Sequence, residues 1–343
     1  MRQFGEYYRR TYGGMAAFAT SGCPPENAVF VWADLDERTR ATAQALVQGL
    51  SSGCNIPVHS AAGKTDQLFD PIPGLGKVDV DKSRASMVGA IGGDPNAFHD
   101  AYRAQFALLD DVLGCKSSGT CKVVSQVPSS VTSEGDAGLA TLSGGIDLAS
   151  TAVENLVLEY TDGQKDVGWG KLDGRQLLDL LQLHVLQSRL EHGNYYAARV
   201  HSSNILAHIV QTIEQAATNQ SVVGTRVPPQ SSVVIIVGHD TQLEELAGLL
   251  HLSWLMRGYQ MNDAPPGGAL VFELHAPADR AAEPFVRMFF VAQSMDAMRS
   301  GDGRNPNRVP VYVPGCPRLD CPIGTFAKIG NSAVDPSFTA PWP

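Results

Sequence analysis

One stretch constrains the fold more than any other: Val233-Val-Ile-Ile-Val237, followed by Gly238-His-Asp-Thr241. Five consecutive β-branched residues that stop at a glycine predict a strand buried on both faces, in the interior of a sheet that helices cover. Gly238 permits a sharp turn, and Thr241 is placed to cap a helix that starts at Gln242. The stretch therefore predicts an α/β fold with polar residues at the carboxyl end of a strand, where open α/β sheets bind ligands.

The two polar residues of this turn suggest a chemistry. His239 and Asp240 place an imidazole and a carboxyl side by side at a helix amino terminus, which attracts anions. Such a pair could bind a phosphoryl group and protonate its leaving group. A His-Asp turn that only caps a helix explains this motif alone equally well.

A second corner of the same kind lies near the amino terminus. Ala28-Val-Phe-Val-Trp-Ala33 predicts another buried strand, and Asp34-Leu-Asp-Glu-Arg38 follows it before a helix with an apolar face. Turns after parallel strands lie along one edge of the sheet. Arg38 and His239 are therefore expected to face one crevice.

Composition limits the possible partners. The chain has 343 residues, of which 43% are hydrophobic, and a formal net charge of −9, which together predict a soluble globular protein of one or two domains. An acidic chain lacks the basic footprint that nucleic-acid binding needs. No apolar run approaches the roughly 18 residues that cross a bilayer, so no membrane segment is expected. Oligomeric state is not indicated.

The distribution of helical and strand patterns along the chain predicts a discontinuous domain. Residues 59–217 show helical spacing in Asn96–Leu113, Ile146–Tyr160, Gly174–Leu190 and Tyr195–Ala217. This part is interpreted as an all-α cap inserted into an α/β domain formed by residues 1–58 and 218–343.

The flanks of the insertion add further expected elements. Residues 1 to about 20 are predicted to be helical. Ala269–His275 and Phe285–Ala292 predict an antiparallel hairpin at the edge of the sheet, and Val309–Val313 predicts a further short strand.

The six cysteines, at positions 23, 54, 115, 121, 316 and 321, allow 15 pairings. Cys115 with Cys121 and Cys316 with Cys321 each bracket a short loop, which leaves Cys23 with Cys54. Reduced thiols or a metal site are the alternatives, although no set of four cysteines has zinc spacing. Three disulfides would indicate an oxidising compartment such as a periplasm.

The amino terminus does not fit an exported protein. Residues 1–10 contain no apolar segment and no small-residue cleavage site, so they are not a secretory signal. The expectation is that the recorded start lies too far downstream, and that the protein is periplasmic or secreted.

Several motifs in register resemble one family. Gly238-His-Asp-Thr-Gln-Leu243 resembles the second signature of the histidine acid phosphatases, especially the bacterial periplasmic phytase and glucose-1-phosphatase branch, and Ala33–Arg40 resembles that branch's arginine-bearing turn. Other segments that resemble it are Gly22-Cys23-Pro24, Ser52–His59, Gly168-Trp169-Gly170 and Pro265–Glu273. The resemblance runs from about Gly5 to Phe326 and is weakest over 60–145.

The resemblance implies a central, mostly parallel sheet flanked by helices, with an α-helical cap. It also implies hydrolysis of a small phosphate monoester, such as phytate or glucose 1-phosphate, at acid pH through a phosphohistidine intermediate, without metal or cofactor. Residue by residue, Arg38 and His239 would bind phosphate and Asp240 would donate the proton. Asp34, Thr241 and His184 would be substrate-side groups. A core histidine is an equally good interpretation of His184.

The sequence lacks the family's first signature, which carries the nucleophile. The nucleophile belongs to an Arg-His-Gly-x-Arg-x-Pro signature, and none of the nine histidines follows that pattern. Glu191-His192-Gly193 is the nearest string, but it joins two predicted helices. Met1 aligns inside the family's first long helix, so the first strand of the sheet is expected to be missing. The hypotheses are an N-terminally truncated phosphatase, a non-catalytic phospho-ligand-binding pseudoenzyme, and a structural protein with a vestigial site.

Overall fold

Two apolar runs far apart in the sequence become parallel neighbours in a computed structural model that describes residues 1–15, 18, 22–71, 74–119, 121–277 and 282–342. The strands are β1 (Val29–Ala33), β2 (Val58–His59), β3 (Ser129–Thr132), β4 (Thr141–Gly144), β5 (Val233–Val237), β6 (Ala269–His275), β7 (Phe285–Ala292), β8 (Asn307–Val311) and β9 (Cys321–Pro322). The helices are α1 (Arg2–Thr11), α2 (Glu37–Leu50), α3 (Val80–Ala90), α4 (Ala97–Ala101), α5 (Arg103–Leu113), α6 (Cys115–Ser118), α7 (Gly145–Thr161), α8 (Gly174–Glu191), α9 (Tyr195–Thr218), α10 (Asp240–Leu250), α11 (Met295–Ser300) and α12 (Ile323–Ala333).

The first sheet has the order β2-β1-β5, and both of its strand pairs are parallel. All five residues of β1 are buried, whereas those of β5 are half-buried. The prediction that β5 lies inside the sheet, buried on both faces, is therefore wrong for the described strands, in which it pairs with β1 alone. A β-branched run specifies a strand, but it does not tell an edge position from a central one.

The second sheet is antiparallel and has the order β6-β7-β8, with β9 also paired to β7. The predicted hairpin is present over the residues expected, with Ala269 opposite Val291 and His275 opposite Phe285. The prediction that this hairpin lies at the edge of the first sheet is wrong for the described strands, because no hydrogen-bonded ladder joins β6 to β5 among them.

The two sheets nevertheless share their helical layers. Ile235 of β5 and Val271 of β6 both pack against an apolar cluster that contains Phe4 of α1. On the opposite face, Ile236 and Phe272 pack against the main core. The edges of β5 and β6 that lack a strand partner among the described residues therefore lie between the same two apolar layers.

Within the described part of residues 59–217, the regular elements are helices apart from His59 of β2 and the short antiparallel hairpin of β3 and β4, which was not predicted. Helices α7, α8 and α9 begin and end within one residue of the predicted bounds. The helix predicted over residues 96–113 is interrupted at Tyr102 and becomes α4 and α5. α1 ends at Thr11, earlier than predicted, and residues 16, 17, 19 and 20 of that prediction lie outside the described residues.

The three expected disulfides are confirmed: Cys23 is bonded to Cys54, Cys115 to Cys121, and Cys316 to Cys321. Among the described residues, no helix has the length and apolar character needed to span a bilayer.

α1 and α2 cross at two glycines, and this contact gives a prediction. A Cβ on Gly49 would lie 1.8 Å from the carbonyl oxygen of Arg2, and one on Gly5 would lie 2.1 Å from that of Leu46. Because backbone blocks the added carbon, Gly49→Ala is expected to lower the free energy of unfolding by about 1–3 kcal/mol. Urea denaturation would measure this change.

The matched control is Gly89→Ala in α3, where an added Cβ meets nothing within 4 Å. That variant should be stabilised by about 0.5–1 kcal/mol, since alanine favours helix. Equal effects of the two variants would show that the two helices do not pack this closely.

Candidate active site

The register of β1 and β5 brings the two polar corners together. Ala33 pairs with Val237, and the backbone N–H of Asp34 donates to the carbonyl oxygen of Val237 at 2.9 Å. The residues after each strand therefore leave the sheet side by side at its carboxyl edge. This edge is where a parallel sheet presents a ligand site.

Arg38 and His239 converge on one carboxylate. His239 Nε2 lies 2.9 Å from Oδ2 of Asp36, and the Nη2 atom of Arg38 lies 3.5 Å from the same oxygen. The Arg38 side chain is 76% exposed, and that of His239 is 19% exposed. Two cationic groups thus share a single anionic oxygen at the mouth of the crevice.

Asp34 sets the charge of His239. Its Oδ2 lies 3.3 Å from His239 Nδ1, and its other oxygen accepts from the backbone N–H of Leu35. The hydrogen bond to Asp34 raises the pKa of His239, with a further contribution from Asp36, against burial and the charge of Arg38. The ring is thereby favoured in its cationic form, which suits an anion ligand.

α10 begins one residue after His239, so His239 is its N-cap and the prediction that Thr241 caps the helix is wrong. Gln242 Oε1 accepts from the backbone N–H of His239 at 2.8 Å, as an N3 glutamine does in a capping box. Glycine is needed at position 238 because the ring of Phe69 lies close to the backbone there, and an added Cβ would be 2.7 Å from that ring.

Asp240 and Thr241 form the first turn of α10, where Asp240 Oδ1 accepts from the backbone N–H of Thr241 at 3.0 Å. The charge of Asp240 acts on two buried carboxyls, Glu244 and Asp263. Burial, together with this charge, raises the pKa of Glu244 to about 8 and that of Asp263 to about 7.

Two histidines singled out in the sequence lie elsewhere. His184 is on α8 and its Nδ1 lies 3.0 Å from the hydroxyl oxygen of Ser150 on α7, and no hydrogen bond or ion pair in the described structure joins it to Arg38 or His239. His192 is the C-cap residue of α8 and is half-buried, and desolvation lowers its pKa. It lies at the junction of α8 and α9, as its position between two predicted helices indicated.

Sequence reasoning missed three groups around the crevice. Asp36, which bridges Arg38 and His239, belongs to the quoted turn but was given no role. Asp70 interacts electrostatically with His239 and accepts from the backbone N–H of Asp66. His201 on α9 pairs with Glu245 on α10 through Nδ1 at 2.9 Å. Of these three residues, only Asp36 could have been predicted from the sequence, because it follows a predicted strand and lies two residues before Arg38.

Within the described ranges, no group of three or more His, Cys, Asp or Glu side chains is arranged to hold a metal ion. The crevice presents an arginine, a cationic imidazole and an adjacent carboxyl. This set can bind an oxyanion and supply a proton.

Comparison of sequences finds relatives along nearly the whole chain. Residues 1–90 match the model of the histidine phosphatase superfamily (branch 2). The phytase AppA of Escherichia coli K12 is 29% identical over 355 aligned positions, which cover 97% of this chain and 81% of that protein. The glucose-1-phosphatase of Salmonella typhimurium LT2 is 25% identical and is covered to 80%.

Solved structures agree with this result. The Hafnia alvei phytase in complex with tartrate superposes with a TM-score of 0.89 at 28% identity, over 99% of this chain and 87% of that one. The phytase of Citrobacter braakii gives a TM-score of 0.89 at 26% identity, with the same coverage. The chain is therefore similar over nearly its whole length to phytases and glucose-1-phosphatases, and its fold is that of the solved phytases.

Proposed function

We propose that this chain binds the phosphoryl group of a phosphate monoester between Arg38 and His239, and that it forms the phosphate-binding part of a histidine phosphatase active at acid pH. The observation that carries the proposal is the position of Asp36. One of its carboxylate oxygens contacts both Arg38 and His239, at 3.5 Å and 2.9 Å. A phosphoryl oxygen at that place would meet the same two cationic donors.

Each neighbouring group then has a role in phosphoryl transfer. Arg38 and cationic His239 neutralise charge on the phosphoryl oxygens in the transition state. Asp34 orients the ring of His239 through Nδ1. Asp240, the next residue after His239, protonates the departing alkoxide. Thr241 contributes on the substrate side, whereas the contact of His184 with Ser150 supports a packing role for that histidine.

The nucleophilic histidine is proposed to come from a strand outside the 343 residues. The edges of β5 and β6 that have no strand partner among the described residues lie between shared apolar layers, and α1 packs over both sheets through Phe4 and Tyr8. A strand inserted there and parallel to β5 would end beside Gly238 and His239. Two open edges next to apolar surface also favour association, so the chain alone should be prone to aggregate.

A non-catalytic phospho-ligand binder is the second candidate. It is favoured by the sequence, in which none of the nine histidines lies in an Arg-His-Gly string. Both candidates expect no release of phosphate from p-nitrophenyl phosphate by these 343 residues alone. They differ in a protein that also carries a histidine-bearing strand, where only the phosphatase gains turnover.

Binding of inorganic phosphate tests the site in the chain as it stands. Arg38→Ala removes a charge-assisted contact worth about 1.5–3 kcal/mol, so affinity should fall roughly 10- to 100-fold. Asp36→Asn should change affinity in the opposite direction, because it removes the carboxylate that competes with phosphate. Isothermal titration calorimetry at pH 5 measures both.

Arg40→Ala is the matched control, since Arg40 is an exposed arginine on the same helix. It should leave phosphate affinity within about two-fold, as expected for a screened surface charge. Phosphate binding that responds equally to the loss of Arg38 and of Arg40 would mean that the site lies elsewhere.

The proposed location is the periplasm or the extracellular space. All six cysteines form disulfides within the chain, and such bonds persist in oxidising compartments.

A further inference from the structure

A pocket of about 310 Å³ lies along α10, apart from the phosphate crevice. Its walls come from the end of α8, the start of α9, the second half of α10 and residues 251–262. His239 and Asp240 stand at the opposite end of α10 and are not among the residues that line it. Phosphate binding in the crevice therefore assigns no ligand to this pocket.

One wall of the pocket carries a buried carboxyl group. Glu244 is 4% exposed, and its Oε2 atom accepts from the hydroxyl of Ser188. Its Oε1 atom makes no hydrogen bond with the described residues and, unlike the Nε2 atom of His201, it is not sealed off from solvent. A carboxyl oxygen left unmet inside a protein costs about 1–3 kcal/mol, which a hydrogen-bond donor on a ligand can recover.

Arg189 presents the opposite charge to the same pocket. It is exposed at the end of α8, and within the described structure it forms no hydrogen bond or ion pair. Its charge acts on Glu244, but the two side chains do not touch as an ion pair. Two opposite charges that face one cavity without meeting leave room for a ligand that carries both signs and pairs with each.

The rest of the lining is largely apolar. Ala247, Leu252 and Trp254 are buried and line the pocket. At its mouth the rings of Tyr195 and His251 stack with their centroids 5.3 Å apart. An apolar cavity with a few polar groups is typical of a small-molecule site.

The geometry points to a second binding site, in which this pocket holds a free α-amino acid with an apolar side chain. The ammonium group of the ligand donates to Glu244, and its carboxylate accepts from Arg189. The apolar side chain packs against Leu252 and Trp254. This site goes beyond the proposed function and does not depend on phosphate at Arg38.

The titration of Glu244 adds a pH dependence. Burial raises its pKa to about 8; the charges of Asp240 and Asp263 act in the same direction, and that of Arg189 opposes them. His251 stands at the mouth of the pocket. An ammonium group favours the ionised carboxyl, so binding below pH 8 must release a proton from Glu244. Affinity is therefore expected to fall about 10-fold for each pH unit below that value.

Isothermal titration calorimetry at pH 7.5 tests the site with L-leucine and two analogues that each lack one charge. L-leucinamide has no carboxylate, and 4-methylpentanoate has no ammonium group. Leucine should bind saturably, and each analogue should bind about 10- to 100-fold more weakly, because a charge-assisted contact is worth about 1.5–3 kcal/mol. No saturable binding of leucine, or an analogue that binds as tightly, would overturn the inference.

Proton release gives a second readout. Leucine titrations at pH 6.5, in two buffers of different ionisation enthalpy, should show that about one proton leaves the protein for each leucine bound. Glu244→Gln should abolish this release and weaken leucine binding 10- to 100-fold. Binding that releases no proton from the wild-type protein would show that the ammonium group does not pair with Glu244.

Arginine variants locate the carboxylate of the ligand. Arg189→Gln should weaken leucine binding 10- to 100-fold. The matched control is Arg175→Gln, at an exposed arginine in the first turn of α8 and outside the pocket lining, which should leave the affinity within about two-fold. Arg38→Ala should also leave it unchanged. Leucine binding that depends on Arg38, or that responds equally to Arg189→Gln and Arg175→Gln, would place the ligand elsewhere.

Discussion

Glu244→Gln is expected to stabilise the protein by about 3 to 5 kcal/mol at pH 8 and to change little at pH 4.5. Glu244 is 4% exposed, and burial raises its pKa from 4.5 to about 8, with help from the charges of Asp240 and Asp263. The folded state therefore holds this proton over a range in which the unfolded chain releases it. Stability is fully present below pH 4.5 and is lost as pH rises towards 8. Glutamine keeps a partner for the hydroxyl of Ser188 and removes the titration.

Urea denaturation at pH values from 4.5 to 8.5 measures this difference. Glu154→Gln, on the exposed face of α7, is the control and should follow the wild-type curve. If Glu244→Gln and the wild type lose stability in parallel between pH 4.5 and 8, the carboxyl of Glu244 does not titrate as the structure requires.

Other buried carboxyl groups also make the folded state more stable at acid pH. Burial raises the pKa of Glu191 and of Asp263 to about 7, so both stabilise the fold at acid pH and cost stability above it. His201, with its raised pKa, contributes stability below pH 6.5 that is lost at higher pH. His192 and His208 act in the opposite direction, because burial lowers their pKa values. Three carboxyls outweigh two neutral rings, and the fold is expected to be most stable in mild acid.

The second large effect concerns Asp240. In a protein that joins these 343 residues to a histidine-bearing strand, Asp240→Asn is expected to lower the turnover of alkyl phosphates about 10²- to 10⁴-fold, the usual contribution of a general acid. Asparagine cannot give a proton to the departing alkoxide. Comparing rates for an alkyl phosphate and for p-nitrophenyl phosphate measures this role.

Aryl esters provide the internal control, because an activated phenolate needs little protonation and its turnover should fall far less. Equal losses for the two esters would assign Asp240 to phosphate binding or to folding and not to proton transfer. Asp263→Asn, at a carboxyl buried nearby, should leave the ratio of the two rates unchanged.

Much of the fold can be predicted from local sequence because apolar residues recur at clear helical or strand spacing in many of its elements. The apolar runs 29–33 and 233–237 predict β1 and β5, and leucine spacing predicts α8 to within one residue. α3 was missed because only Ser83 and Met87 of its residues are buried, which leaves no clear apolar stripe. The edge position of β5 depends on pairing with distant segments, and such pairing leaves no mark on a five-residue run.

Some residues of the candidate site could likewise be predicted from the sequence, and others could not. Arg38 and His239 could be brought together from sequence because parallel strands end at one edge of a sheet. The bridging position of Asp36 depends on the backbone at the start of α2, and the residue types alone do not specify it. His201 and Glu245 are 44 residues apart on two helices, and a lone histidine on a helix gives no sign of its partner.

The nitrogen resonances of the His239 imidazole, followed by NMR during a phosphate titration and assigned by their loss in His239→Asn, test the shared phosphate position of Arg38 and His239 most directly. These resonances are expected to shift with the same affinity that calorimetry gives for phosphate, and Arg38→Ala should weaken that response 10- to 100-fold. Saturable phosphate binding that leaves the His239 resonances unmoved would contradict the account.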